Sequence, residues 1–384
     1  MMLLLLGVTL AGALSMLNPS PSVLSLTDFA SIPGWREDDH AAALAAFQRS
    51  CAVLQNPRHG PIRSPRYGGG QPDWQTACHR AATTTEPRRF FEENFLPLKV
   101  HDAERPEGLF TGYFEPQAEG SRIPSPDYTV PVYGKPGDLV AFTPDQQAAT
   151  GLTYGRLSNG DPQPYYARRD IESGALAGRG LEILWLRDWA DAFFIHVQGS
   201  GRVRLPDGRI VRLAFAAKSG RPYTAIGGLL AGRGIIPPEQ LSMQTIRAWM
   251  AQNEQASREL MGENQSYIFF REVEIPDPAE GPPGAQGVSL TARRSLAVDR
   301  FIWMYGTPMW IDTVVQTAPS WPGAHFRHLL IAQDTGTAIR GLVRGDIFWG
   351  SGEEAAIAAG HMKSPGAMIV LFPTDLAKTL LAAQ

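Results

Sequence analysis

What most constrains the fold is the order in which two textures of sequence alternate along the chain. DDHAAALAAFQRSCAVL and PDWQTACHRAATTTEPRRFFEENFLPLKV carry apolar residues at helical spacing, the first with acidic residues in its opening turn. From LFTGYFEPQ onward the texture turns to short β-like runs separated by turns: DYTVPVYGKPGDLV, LEILWLRD and AFFIHVQGSGRVRLPDGRIVRLAFAA. The runs flanking LPDG predict a hairpin, because Asp-Gly supplies the turn conformation that closes one. A Pro start with Leu241, Ile246, Trp249 and Leu260 at helical spacing predicts one long helix over about Pro238–Met261, returning to the first domain. The tail, from SLTARRSLAVDRFIWMYGTPMWIDTVV to MIVLFP, goes back to strands and Gly turns with a short helix at GEEAAIAAG. NPRHGPIRSPRYGGGQP, rich in Gly and Pro, reads as loop. A helix–β–helix–β order arises in two ways, as two sequential domains or as one domain inserted into another.

At 384 residues the chain is too long for one small core, so two domains are expected. A formal charge of -3 and a pI near 6.3 give no global basic field, which argues against nucleic acid or an anionic membrane surface as the main partner. An uncharged or mixed-charge substrate fits better. The segment MMLLLLGVTLAGALSMLNPS is nearly continuous in apolar residues and ends in small and turn-forming ones, the pattern of a secretory leader over residues 1–19. It is short for a membrane span and lacks a basic start, and no cysteine lies near it to carry a lipid. Export is expected, to a periplasmic location, with membrane association through the N-terminal segment as the other reading. Cys51 and Cys78 are the only cysteines, and an even pair in an exported chain suggests a disulfide; two buried free thiols are the alternative.

Metal chemistry finds little support, since the eight histidines are scattered and there is no HExxH, paired Cys or Asp-rich calcium loop. No metal and no cofactor are expected. Ser200, in VQGSG, sits in no G-x-S-x-G elbow, and its glycines belong to no phosphate-cradling motif. Carboxylates remain: Asp299 in LAVDR, Asp334 in AQDTG and Asp346 in RGDIF, each near aliphatic residues. A carboxylate resists leaving water, so partial burial must be offset by partners or relieved by a proton. Singly, each of the three reads as a turn or cap residue.

Five motifs, LFTGYFEP, FIHVQGSGRVRLPDG, PYTAIGGLLAGRG, LSMQTIRAWM and AQDTG…RGDIFWGSGEEAAIAAG, resemble those of the membrane-bound lytic murein transglycosylase A family, in the family's order, over about Leu109–Pro373. In that family the C-terminal part carries the 3D domain, named for three aspartates, and Asp299, Asp334 and Asp346 fall on those positions. The resemblance implies a mainly β protein with flanking helices: a double-psi β-barrel domain from residues 20–112 and 237–384, a second β-barrel inserted over 113–236, and a deep groove between them. It implies cleavage of the β-1,4 bond between N-acetylmuramic acid and N-acetylglucosamine in peptidoglycan, leaving a 1,6-anhydromuramyl end, with Asp346 as acid and base.

Anhydro formation needs one carboxyl group, because the tethered muramyl 6-hydroxyl replaces water as nucleophile. Burial against Ile347 and Phe348 and a nearby ionised Asp334 are expected to raise the Asp346 pKa. Asp334 is then either a tuning charge or a loop anchor, and Asp299 structural support. Thr111, Tyr113, Gln198 and Gly199 are expected to contact substrate, and Trp185, Trp189 and Trp249 to pack in the core. The expected partners are peptidoglycan glycan strands, with cell-wall synthesis or division complexes as further candidates, and a monomer is expected. The competing readings are an inverting glycoside hydrolase using Asp334 and Asp346 as a pair, and a non-catalytic wall-binding module.

Overall fold

The computed structural model of the protein describes residues 23–56, 65–103, 105–275, 277, 279–315 and 323–384; the signal-like segment 1–19 and residues 57–64 of the Gly/Pro-rich loop lie outside the described residues. Three helices open the fold: His40–Leu54, Gln71–Ala81 and Pro87–Asn94. The first is capped by Asp39, whose side chain accepts from the Ala42 amide at 3.1 Å. Cys51 and Cys78 are bonded, tying the first helix to the second across a sequence separation of 27. Closing a loop of that length contributes about 3–4 kcal/mol in the chain-entropy picture.

These helices pack on a β-barrel whose strands come from both ends of the chain. Its ring runs Lys363–Pro373, Pro308–Val315, Ala324–Asp334, Ser295–Val298, Arg344–Ser351 and Gly108–Glu115, and closes where Gly108–Glu115 pairs with Lys363–Pro373. Phe95–Val100 and Leu24–Leu26 extend the sheet outward from Lys363–Pro373. One hydrophobic core joins helices and barrel, with Phe47, Trp74, Phe91, Phe95, Trp303 and Trp310 fully enclosed. The main polar tie within it is Asp38, just before the first helix. Its enclosed carboxylate accepts from Arg294 at 2.8 and 2.9 Å and from the Leu329 amide at 2.9 Å, and pairs with His328 at 2.6 Å.

A second, six-stranded sheet is ordered Ile268–Val273, Ile210–Lys218, Ser200–Arg204, Gln117–Ser121, Glu182–Leu186 and Val130–Tyr133. A bridge between Gly134 and Phe270 joins its two ends. The Asp207-Gly208 hairpin pairs Ser200–Arg204 with Ile210–Lys218, Gly208 taking the left-handed φ of 83° that the turn requires. A core of its own, including Val130, Leu184, Leu186, Val203, Leu213 and Phe270, fills this barrel. The chain therefore leaves the first barrel at Glu115, builds the second, and returns to the first at Ser295.

Three expectations are corrected here. The run AFFIHVQ is not a strand but the C-terminal part of a helix, Trp189–Gln198, capped by the Asp188 side chain at one end and by Gly199 in the left-handed conformation at the other. The long helix over 238–261 is two helices, Met243–Gln252 and Glu254–Glu263, broken at Asn253 (φ −135°, ψ 59°). They do not fold back onto the N-terminal helices: Met250, Leu260 and Met261 pack with Phe193, Phe194, Ile226 and Leu230 of the inserted region. Trp189 and Trp249 pack against that same cluster. Finally, Ile268–Val273 pairs with Ile210–Lys218, so the second barrel draws on chain beyond the expected limit at 236.

The hydrogen bonds from His328 and Arg294 outweigh burial and hold the Asp38 carboxyl well below the usual carboxylate range. A depressed folded-state pKa gives stability that is complete above the unfolded value of about 4 and is lost as pH falls toward the folded one. Asp38→Asn should cost about 3–5 kcal/mol at neutral pH, the usual penalty for breaking a buried charged pair. Denaturant melts from pH 7 down to pH 2 should show the deficit shrinking below about pH 4.

Candidate active site

The three aspartates enter the structure through strand register. Across the first barrel one row of paired residues reads Asp334, Ala297, Asp346, Thr111 and Lys363 on five adjacent strands. With strands about 4.8 Å apart, the backbones of Asp334 and Asp346 stand on the order of 10 Å from each other. The small, buried Ala297 side chain lies between them in the row. Along Gly108–Glu115 successive side chains alternate faces, so Thr111, Tyr113 and Glu115 share one face while Phe110, Gly112 and Phe114 take the other. A Cβ on Gly112 would stand 2.6 Å from Trp349 Nε1 and 2.8 Å from Ala359 Cα, so the close approach of the Glu353–His361 helix requires glycine there.

Each aspartate has its own partner on that strand. Thr111 Oγ1 donates to Asp346 Oδ1 at 2.6 Å and in turn accepts from Arg344 Nη2 at 2.8 Å. Tyr113 Oη donates to Asp334 Oδ2 at 2.8 Å, its ring resting 5.3 Å from that of Phe348. Asp334 Oδ1 also accepts the amides of Ala285 and Thr335, both at 2.9 Å. Both oxygens of Asp334 are thus engaged by protein donors. On Asp346 only Oδ1 is, among the described residues.

Burial raises the pKa of both carboxyls. For Asp346 the Arg344 charge and the Thr111 hydrogen bond pull the other way. For Asp334 the Tyr113 and backbone hydrogen bonds lower it, while the Asp346 charge raises it. Repulsion between the two carboxylates is mutual, so the raising influence expected from Asp334 onto Asp346 acts on Asp334 as well; the burial of Asp346 owes nothing to Ile347, whose side chain lies in the barrel core on the other face. Burial and both aspartates push the Tyr113 hydroxyl far up, so it stays a donor.

Asp299 stands apart from this row. Its oxygens accept from the amides of Phe301 and Gly341, both at 3.1 Å, and from Arg340 at 3.2 Å, which fastens two turns at the barrel end. Gln198 spends its Oε1 on the Phe114 amide at 3.1 Å, and Gly199 ends the helix with nothing within 4 Å of a built Cβ. Of the two, Gln198 borders a cavity of about 290 Å³ between the barrels, walled by Phe114, Phe193, Phe194, Met243, Ile246 and Ala359. Tyr223 lines the same cavity, and burial, opposed by the Arg168 charge and aided by that of Asp346, raises its hydroxyl pKa. Sequence reasoning missed Tyr223, although PYTAIGG contained it, and missed Arg344 two residues before Asp346. Among the described residues no group of three or more His, Cys, Asp and Glu side chains is placed to hold a metal ion.

A family model described as the MltA specific insert domain matches residues 109–271, and a 3D domain model matches residues 294–372. The crystal structure of a membrane-bound lytic murein transglycosylase from Agrobacterium tumefaciens is 34% identical, covers 94% of this chain and 100% of its own, and superposes with a TM-score of 0.84. The chain belongs to the membrane-bound lytic murein transglycosylase A family. MltA from Neisseria gonorrhoeae, at 33% identity, covers 91% of this chain and 92% of that one with a TM-score of 0.75. Membrane-bound lytic murein transglycosylase A of Vibrio cholerae is 34% identical over 261 residues, 67% of this chain and 63% of that relative's length. The chain thus matches a little under two thirds of the length of that curated relative. The insert-domain match ends within Ile268–Val273, the strand that the second sheet takes from beyond residue 236.

Because the Thr111 hydroxyl donates to the charged form of Asp346, its removal should raise that carboxyl's pKa. Thr111→Val, nearly isosteric, should move the Asp346 midpoint upward in a carbon-13 NMR titration of the aspartate carboxyls while leaving the Asp334 midpoint nearly in place. An unchanged Asp346 midpoint would remove Thr111 from the site.

Proposed function

We propose that this family member is a lytic transglycosylase that cleaves the β-1,4 bond between N-acetylmuramic acid and N-acetylglucosamine in peptidoglycan and closes a 1,6-anhydromuramyl ring, with Asp346 as both acid and base. The observation that carries this reading is the asymmetry of the two aspartates. An inverting hydrolase needs a second carboxylate free to activate water. Asp334 has both oxygens tied to Tyr113, Ala285 and Thr335, whereas Asp346 keeps Oδ2 without a protein donor among the described residues. The names of the relatives support the same activity.

Burial favours a protonated Asp346 at the start. It donates that proton to the glycosidic oxygen as the bond to the muramyl C1 breaks, and positive character develops on the sugar. The muramyl 6-hydroxyl oxygen then attacks C1, and its proton passes to the Asp346 carboxylate, restoring the enzyme. No water is consumed, because the nucleophile is held by the ring that it closes on. Asp334, pinned by three donors, supplies fixed negative charge facing the developing cation. The row of Asp334, Ala297, Asp346 and Thr111 lines a groove between the barrel of residues 20–112 with the C-terminal segment and the inserted barrel, where Tyr223, Gln198 and Gly199 meet the glycan. Glycan strands are the partner, and the chain acts as an exported, periplasmic monomer. Among the described residues no helix is long and apolar enough to cross a membrane.

Asp346→Asn keeps size and hydrogen bonding but cannot give and retrieve a proton. It should fold, bind glycan strands and lose turnover on purified sacculi by about 10²–10⁴-fold. Mass spectrometry of wild-type products should find anhydromuramyl ends with no water added; hydrated ends would establish the hydrolase instead. Asp334→Asn should lose less and move the alkaline limb of the pH–rate curve to lower pH, since removing a negative neighbour lowers the apparent pKa of the acid that remains. Near-normal turnover by Asp346→Asn would transfer the acid role to Asp334.

A further inference from the structure

Arg344 is a half-buried cation with no carboxylate bonded to it among the described residues. Its Nη1 donates to the carbonyls of Gly345 and, at 3.5 Å, of Leu109, and its Nη2 donates to Thr111 Oγ1 at 2.8 Å. Burial pulls its pKa down, while the Asp346 charge pushes it up. A guanidinium taken out of water is most readily held by a carboxylate, so carbonyls and one hydroxyl are an unfavourable set of partners for it. The hydroxyl is the one partner that connects it to the chemistry.

Register explains how the three residues meet. Arg344 pairs with Leu109 and Asp346 with Thr111 across two parallel strands, so the arginine and the aspartate flank the threonine on one face. Lys363 lies opposite Thr111 on the next strand, Tyr113 is committed to Asp334, and Asp334 lies beyond Ala297 on the far side of Asp346. Among the described residues only Arg344 and Asp346 exchange hydrogen bonds with the Thr111 hydroxyl.

Donor and acceptor counting then fixes the direction of each bond. A guanidinium only donates, and a hydroxyl has a single proton to give. The Thr111 oxygen accepts from Arg344, and its proton has no protein acceptor other than Asp346 Oδ1, 2.6 Å away, among the described residues. An oxygen that already receives this proton is a poor place for the acid's own, because two hydrogens would then face each other across the same short gap. That leaves Oδ2, which has no protein donor among the described residues.

We propose that Arg344 is a positioning residue for the reaction: by holding Thr111 as a one-way donor to Asp346 Oδ1, it places the transferable proton on Oδ2. This rests on the reading of Asp346 as acid and base. The proton leaves Oδ2 for the glycosidic oxygen, and the proton of the muramyl 6-hydroxyl returns to Oδ2, since Oδ1 stays occupied through both steps.

Arg344→Met removes the charge and the donor. It should lower kcat on glycan strands about tenfold, the worth of one oriented hydrogen bond, with KM nearly unchanged. It should also move the alkaline limb of the pH–rate curve to higher pH, because losing a nearby cation raises the pKa of the acid. Arg344→Lys, again a donor without an acceptor, should recover most of the turnover. In a Thr111→Val background Arg344→Met should cost little further in kcat, since its route runs through the hydroxyl. The full loss in that background, a loss confined to KM, or an unmoved limb would overturn the proposal. Neutron diffraction from deuterated wild-type crystals, below the Asp346 midpoint, tests it without any variant: a deuteron on Oδ2, with that of Thr111 aimed at Oδ1, supports it, and a deuteron on Oδ1 sinks it. Those failures leave the acid–base reading standing, whereas near-normal turnover by Asp346→Asn would remove that reading itself.

Discussion

A carboxylate with no solvent exposure, Glu115, holds the two barrels to one another. It accepts from Arg202 at 2.7 Å and from Arg212 at 2.6 and 3.1 Å, both on strands of the second barrel, and from Ser351 of the first barrel at 3.0 Å. The two arginines also donate to the Glu280 carbonyl, at 3.2 and 2.6 Å, where the chain is on its way back to the first barrel. Such a buried group is weak evidence for overall stability, because desolvating three charges offsets most of their attraction. Its effect is on register. Leaving one member unpaired in the interior costs about 3–5 kcal/mol, which penalises every arrangement of the barrels other than this one.

That register reaches the chemistry through a single strand. Glu115, Tyr113 and Thr111 are alternate residues on one face of Gly108–Glu115, so fixing the first fixes the other two. Tyr113 then meets Asp334 and Thr111 meets Asp346. The opposite face is held by Phe110 in the barrel core and by Phe114 against Ala355 and Ala359. A slip of one residue would exchange the faces, burying threonine and tyrosine in apolar surroundings and removing both aspartates' donors.

The textures of the chain, the Asp-Gly hairpin, the cysteine pair and the three aspartates were all legible, because each is a local pattern or a composition. For Asp299 a strand followed by a turn suggests an aspartate that caps backbone amides, and its carboxyl accepts those of Phe301 and Gly341. The Trp189–Gln198 helix was misread because Phe193, Phe194, Ile195 and Val197 favour strands, and its packing outweighs that preference. The signals that could have corrected it were Asp188 and Gly199, an N-cap and a left-handed C-cap ten residues of helix apart. Nothing local marks Glu115, Arg202 and Arg212 as partners, with 87 and 97 residues between them. The insertion hid them, because a buried ion pair is defined by what the fold brings together.

The division of labour between the aspartates follows from the same distance in sequence. Asp334 ends a strand, so the turn after it offers the Thr335 amide and the returning segment offers Ala285; a residue so placed collects backbone donors on its carboxyl. Asp346 lies within a strand, where neighbouring amides are already committed to the ladder, and its carboxyl receives only side-chain help from Thr111. A carboxyl that is buried yet poorly supplied with donors favours its neutral form. Strand interior against strand end is therefore enough to leave one carboxyl with a free oxygen and to engage both oxygens of the other, with Ala297 between them in the row.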